Sequence, residues 1–188
     1  MPIRGVLFGA AAVRADDFRD EALSVIMGAQ ENDALLDCLT QMLRAALATT
    51  SEQQRADAGL DTLTLHCRRR LRARLARPPR AVEDWSISSP GGGCGCDHCG
   101  TLTTFLTDPT RRQLEWPLAE AGRKHVHRII DQAELPVGHR TRRSGRPYTL
   151  VLTKSTALFD QEAQARRQDE ADLAWLDAQL RMSGGSSD

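Results

Sequence analysis

The side chains with the most evident chemistry lie in one short stretch, Cys94-Gly95-Cys96-Asp97-His98-Cys99. Cys96-x-x-Cys99 has the spacing of a structural zinc half-site, in which a tight turn aims two thiolates at a point about 2.3 Å from each sulfur. Closing such a site takes two more soft or borderline ligands. The available groups, Cys94, His98, His125, His127 and His139, all fall between residues 94 and 139. His125 and His127 lie on an expected helix, where two residues are about 200° apart around the axis, so one ion can reach only one of them. His125 sits one turn from Ile129 and nearer the expected buried face, which makes it the better ligand and His127 its solvated neighbour. His139 belongs to an expected strand that can approach the same helix. The expected ligand set is therefore Cys96, Cys99, His125 and His139, with Cys94 as the substitute. A redox Cys-x-x-Cys is the rival use, because a helix N-terminus lowers thiol pKa. Redox folds of that kind enter the motif from a buried strand, whereas Ser88-Ser89-Pro90-Gly91-Gly92-Gly93 precedes it here.

The composition agrees with a metal-bearing globular chain. Of 188 residues, 40% are hydrophobic and 27% charged, enough apolar surface for one ordinary domain or two small ones. Aromatics are only 4%, so the core must be aliphatic. Five cysteines, three of them within six residues, do not read as a disulfide framework; a reducing, cytoplasmic setting is expected, with Cys38 and Cys67 as core residues. The apolar stretch from Gly5 to Val13 is too short for a membrane span and is followed at once by Arg14 and Asp16, so it is not read as a signal peptide. Twenty-five basic residues balance twenty-five acidic ones, which argues against a chain that coats nucleic acid or membrane by bulk charge. The balance is segmented: residues 1–60 sum to −4, 61–82 to +6, 83–100 to −3, 101–156 to +5 and 157–188 to −4.

These residues need elements to position them, and the pattern predicts an α+β protein: an N-terminal helical segment, a small zinc-stapled strand-helix-hairpin module, and a long C-terminal helix. Helices are expected after Asp17, carrying Phe18, Ala22, Leu23, Val25 and Ile26, and after Asp33, where Leu35, Leu36, Leu39, Met42, Leu43, Ala46 and Leu47 recur at i, i+3/i+4. Ser51 with Gln54 reads as a capping box for one further helix running to Pro78-Pro79. The helical segment is taken as 1–85, a Gly/Ser/Pro linker as 86–93 and the Cys/His module as 94–155. Within the module we expect a short apolar turn at Leu102, Phe105 and Leu106, a strand over 112–116, a helix begun by Pro117, and a hairpin about Ser144-Gly145-Arg146. Residues 156–182 form the last helix, its polar middle (161–172) projecting or loosely packed, ahead of a 183–188 tail.

No catalytic constellation is present: no Gly-x-Ser-x-Gly, P-loop or His-Glu-x-x-His, and no histidine with an acid two residues on. An ion closed by four protein ligands also lacks the open position hydrolysis needs. Arg68, Arg69, Arg70, Arg72, Arg74 and Arg77 decorate one helix, and Arg140, Arg142, Arg143 and Arg146 crowd the hairpin turn. Either group could contact the phosphates of a nucleic acid; the simpler reading is a solvated face paired with the acidic helices at either end. Leu173, Trp175, Leu176 and Leu180 suit packing on the N-terminal helices or on a protein partner.

Residues 94–154 also resemble a cysteine/histidine-containing C-terminal region of large bacterial and fungal 2-oxoglutarate/Fe(II) oxygenase-like proteins. The resemblance is carried by Cys94-x-Cys96-x-x-Cys99, Leu102-x-x-Phe105-Leu106, Asp108-Pro109, Arg123-x-His125, His139-x-Thr141 and Gly145-x-Pro147-x-Thr149-Leu150-Val151-x-Thr153-Lys154. It implies metal ligands at Cys96, Cys99, His125 and His139. It does not imply oxygenase activity here, since the upstream catalytic domain and its motif are missing from this sequence. The expected function is a non-catalytic, zinc-stabilised interaction or adaptor module. The alternative is an accessory or degenerate fragment of an oxygenase-like protein, and the third a thiol redox protein.

Overall fold

The computed structural model describes residues 2–28, 33–91 and 94–184. They form an α+β protein of helices and one three-stranded antiparallel sheet, divided into two compact units, 1–78 with 166–188 and 79–165.

The first unit is helical: α1 (Pro2–Ala12), α2 (Asp16–Gly28), α3 (Asp33–Leu47), α4 (Glu52–Asp57), α5 (Leu60–Leu75) and the later part of α8 (Ala157–Gly184). The aliphatic stripe of α3 and that of α5, with Leu60, Leu63, Cys67 and Leu71, are buried together as expected. Three details differ from the sequence reading. The apolar stretch near the N-terminus is α1, which buries Leu7 and Ala10. In α2, Leu23 is buried while Phe18 and Val25 are 57% and 69% exposed. Val25 is two residues beyond Leu23, about 200° around the helix, so both cannot face one core. The capping box at Ser51 forms in full, but its helix ends at Asp57 and the chain restarts as α5 from Gly59, where φ is +68°. A Cβ at that position would lie 2.5 Å from Leu23 Cδ1.

The polar middle of α8 does not project. Asp169 meets Arg74, Asp172 accepts from Arg44 at 2.6 Å, and Asp177 accepts from Arg68 and Arg72. Asp37 and Asp33 of α3 take the remaining approaches of Arg74, Arg70 and Arg77. The arginine face of α5 is thus matched by carboxylates of α3 and α8, while Leu176 enters the core.

The second unit holds α6 (Asp97–Thr107), β1 (Gln113–Pro117), α7 (Glu120–Gln132), β2 (Val137–Arg142), β3 (Thr149–Lys154) and the start of α8. The hairpin forms as expected, pairing Val137 with Lys154 through Arg142 with Thr149, and β1 pairs on the other edge so that β3 is central. Leu114, Val137, Leu150 and Leu152 of the sheet close a core with Leu102, Phe105 and Leu106 of α6 and Val126 and Ile130 of α7. Leu102, Phe105 and Leu106, expected in a short turn, are at i, i+3 and i+4 of a helix whose Thr101, Thr104 and Thr107 hydroxyls donate to carbonyls four residues back. Pro117 ends β1 opposite Thr149 instead of starting α7.

The stretch read as a linker is partly packed: Ile87 is buried and donates its N–H to Leu106 O at 2.7 Å. Gly92 and Gly93 of that stretch, and residues 185–188 of the tail, lie outside the described residues. The unit boundary accordingly falls at Pro78–Pro79 rather than in 86–93, and α8 is divided between the units. Lys154, at the end of the central strand, is buried; its ammonium donates to Leu106 O at 2.9 Å and Asp108 O at 2.7 Å and sits 4.9 Å over the Phe105 ring. Burial lowers its pKa, and the two carbonyls it satisfies belong to the C-terminal end of α6. The opposite end of that helix carries the cysteines.

Candidate metal centre

Cys94, Cys96, Cys99 and His125 converge, their ligand atoms all lying within 4.8 Å of one another. Cys99 Sγ is 3.6 Å from Cys94 Sγ and 3.7 Å from Cys96 Sγ. His125 Nε2 lies 3.6, 3.5 and 3.4 Å from the sulfurs of Cys94, Cys96 and Cys99. Each thiol has a local reason to point there. Cys96 is the N-cap of α6 and Cys99 belongs to its first turn. Gly95, at φ +71°, is left-handed, which reverses the chain between Cys94 and Cys96 and lets near neighbours aim at one point. His125 projects from α7, one turn before Ile129.

The two helices approach closely because α7 has no side chain at Gly122. The His98 ring lies over it, so that a Cβ there would be 2.8 Å from His98 Nε2, and the same ring meets Trp116 edge-on at 5.6 Å. His98, one of the available groups in the sequence, is therefore a spacer between α6, α7 and β1. Gly122 carried no sequence signal beyond being a glycine in an expected helix.

The electrostatics favour a thiolate at Cys96. Backbone N–H groups at the start of α6, led by that of Cys99, and then the Cys94 thiol bring the Cys96 pKa down to about 6. Cys99 is pushed up by burial and by its two sulfur neighbours, as expected of a thiol beside others that ionise first. Arg128 places its Nη2 3.2 Å from His125 Nδ1. Three thiolates and a neutral imidazole bound through Nε2 would carry a net charge of −1 around a dication; such a ring has its proton on Nδ1, so the Arg128 guanidinium offsets that charge by proximity and not as a donor to the ring. Cys94, Cys96, Cys99 and His125 could hold a metal ion. Cys67 is buried in the helical unit with its thiol pKa raised to about 12 by burial, as an inert core thiol.

His139 does not reach this cluster, and Cys94 takes the corner expected of it. β2 does pack against α7, but the imidazole meets the face bearing His127: the two Nδ1 atoms are hydrogen-bonded, and His139 Nε2 is 3.0 Å from Asp131 Oδ1. His127 is thus a half-buried partner of His139 rather than a solvated residue. Among the hairpin arginines, Arg142 forms a two-pronged pair with Glu115 at 2.9 and 2.6 Å. Arg140, Arg143 and Arg146 are exposed, with no carboxylate partner among the described residues. No helix among those residues is long and apolar enough to cross a membrane. No family model, no curated protein and no solved structure matches this chain.

The closeness of α6 and α7 at Gly122 gives a test. Gly122→Ala should force the His98 ring off Trp116, part the helices and weaken metal binding by about tenfold or more, the range seen when supporting residues around ligands are changed. A chelator-competition titration measures this; undiminished affinity would show that the spacing is not set there.

Proposed function

We propose that this protein is a zinc-stabilised, non-catalytic interaction module whose Cys94, Cys96, Cys99 and His125 close a structural Cys3His site. One observation carries the reading: five of the six separations among the four donor atoms match the edges of a regular tetrahedron, and the sixth, Cys94 Sγ to Cys96 Sγ, is within 4.8 Å. With Zn–S of about 2.3 Å and Zn–N of about 2.0–2.1 Å, a regular tetrahedron has S···S edges of about 3.8 Å and S···N edges of about 3.6 Å. The two sulfur–sulfur distances from Cys99 are 3.6 and 3.7 Å, and the three sulfur–nitrogen distances 3.4 to 3.6 Å. Three thiolates select zinc over the hard cations, and four protein ligands leave no position for substrate. In that role the ion ties the start of α6 to α7 and contributes folding energy directly. The motif resemblance described above supports an accessory role beside a catalytic protein as the alternative setting for the same site.

Purified protein should contain one equivalent of zinc, lost in Cys96→Ser and kept in His139→Ala. A strong chelator should lower the unfolding temperature of the wild type and leave that of Cys96→Ser unchanged. Zinc content equal in wild type and Cys96→Ser contradicts the assignment.

A nucleic-acid contact is the second reading, favoured by the contrast between the two arginine groups. Arg68, Arg70, Arg72 and Arg74 of α5 meet carboxylates, whereas Arg140, Arg143 and Arg146 at the hairpin do not. Three phosphate contacts would give an affinity that falls with salt with a log–log slope near about −2.7 on duplex DNA. Binding measured between 50 and 200 mM salt (about the range over which such contacts screen out) should show that slope in the wild type and lose it in the triple alanine variant. Absence of binding at the lowest salt removes this reading and leaves a protein partner.

A further inference from the structure

The second histidine cluster, on the side of α7 turned away from His125, has the makings of a ligand site of its own. His139 Nε2 lies 3.0 Å from Asp131 Oδ1. A carboxylate oxygen accepts, so the neutral ring keeps its proton on Nε2 and presents a lone pair at Nδ1. That lone pair points at Nδ1 of His127, the rings 4.6 Å apart and inclined at 62°. An imidazole whose far nitrogen donates to a carboxylate while its near nitrogen offers a lone pair is the arrangement that orients metal-bound histidines. His127 comes from a helix and His139 from a strand with core contacts on its inner face, so two rigid elements fix the pair. His139 is 23% and Asp131 64% exposed at the side chain, leaving water free to enter.

We propose that His127 and His139 form a second, exchangeable metal site for a borderline divalent transition ion such as Zn2+, Co2+ or Ni2+. Both Nδ1 atoms are ligands, Asp131 orients the His139 ring, and water completes the coordination. The ion takes the place of the proton that His127 Nδ1 donates to the His139 Nδ1 lone pair. That proton moves to Nε2 of His127, so two neutral rings bind without net proton release. Metal–nitrogen bonds of about 2.0–2.1 Å require the rings to part until the nitrogens are about 3.3 Å apart. Open water positions distinguish this site from the closed cysteine site, and imidazole ligands suit zinc, cobalt and nickel alike.

The test is a Co2+ titration of protein already carrying zinc at the cysteines, followed by optical absorption and by metal analysis after gel filtration. The wild type should take up one further equivalent, with d–d absorption and no sulfur-to-cobalt charge-transfer band. His127→Ala and His139→Ala should each lose that equivalent and keep the zinc, and Asp131→Asn should weaken it about 10- to 100-fold. His127 is half-buried but outside the apolar core, so its variant reports even if His139→Ala folds poorly. No further equivalent in the wild type, or one retained in both histidine variants, overturns the proposal. If the cysteines prove not to bind zinc, the same titration of metal-free protein still yields a sulfur-free equivalent lost in His127→Ala, so the two claims fail separately.

Discussion

Four soft donor atoms brought to within 4.8 Å of one another, from the start of one helix and the middle of another, set the constraint on which the second unit is built. Thiolates gathered so closely repel one another unless a cation offsets their charge. Here the surrounding chain is arranged to bring them together. Gly95 turns the backbone so that Cys94 joins Cys96, and the N-terminal amides of α6 stabilise sulfur charge. Gly122 leaves room for the His98 ring against α7. At the far end of α6, the buried ammonium of Lys154 holds the last carbonyls and so ties that helix to the central strand. The hairpin, the two helices and the donor cluster form one structural argument, in which the sheet exists to orient α6 and α7.

The helical unit solves a different problem. With few aromatics its core is leucine-rich, and its surface arginines are numerous. Carboxylates on α3 and on the shared helix α8 neutralise most of those on α5. Partly exposed pairs of this kind each contribute little, about 0–1 kcal/mol, so their main effect is on partner choice: they withdraw that basic face from solvent anions. The hairpin arginines escape the pattern except for Arg142, which Glu115 holds.

Much of this was legible in the sequence, and the misses have identifiable causes. The Cys96-x-x-Cys99 half-site depends only on local spacing, and the choice of His125 over His127 only on helical phase, so both could be read from residue numbers. His139 was correctly expected to approach α7, but phase along a strand does not say which side of a facing helix it meets. Cys94 stands in the sequence only as the substitute ligand, because the left-handed turn at Gly95 that brings it to the other two sulfurs is not visible there. The run of threonines and Gly100 disguised α6 as a turn, although Leu102, Phe105 and Leu106 already had helical spacing. Gly59 was read as a helix residue, where its left-handed backbone in fact divides α4 from α5.

X-ray absorption at the metal edge tests the central claim most directly, because it counts sulfur and nitrogen neighbours without disturbing the protein. The geometry described here predicts three sulfur ligands at about 2.3 Å and one nitrogen at about 2.0–2.1 Å around the tightly held ion. A shell of two sulfurs and two nitrogens, or one of light atoms alone, would contradict it.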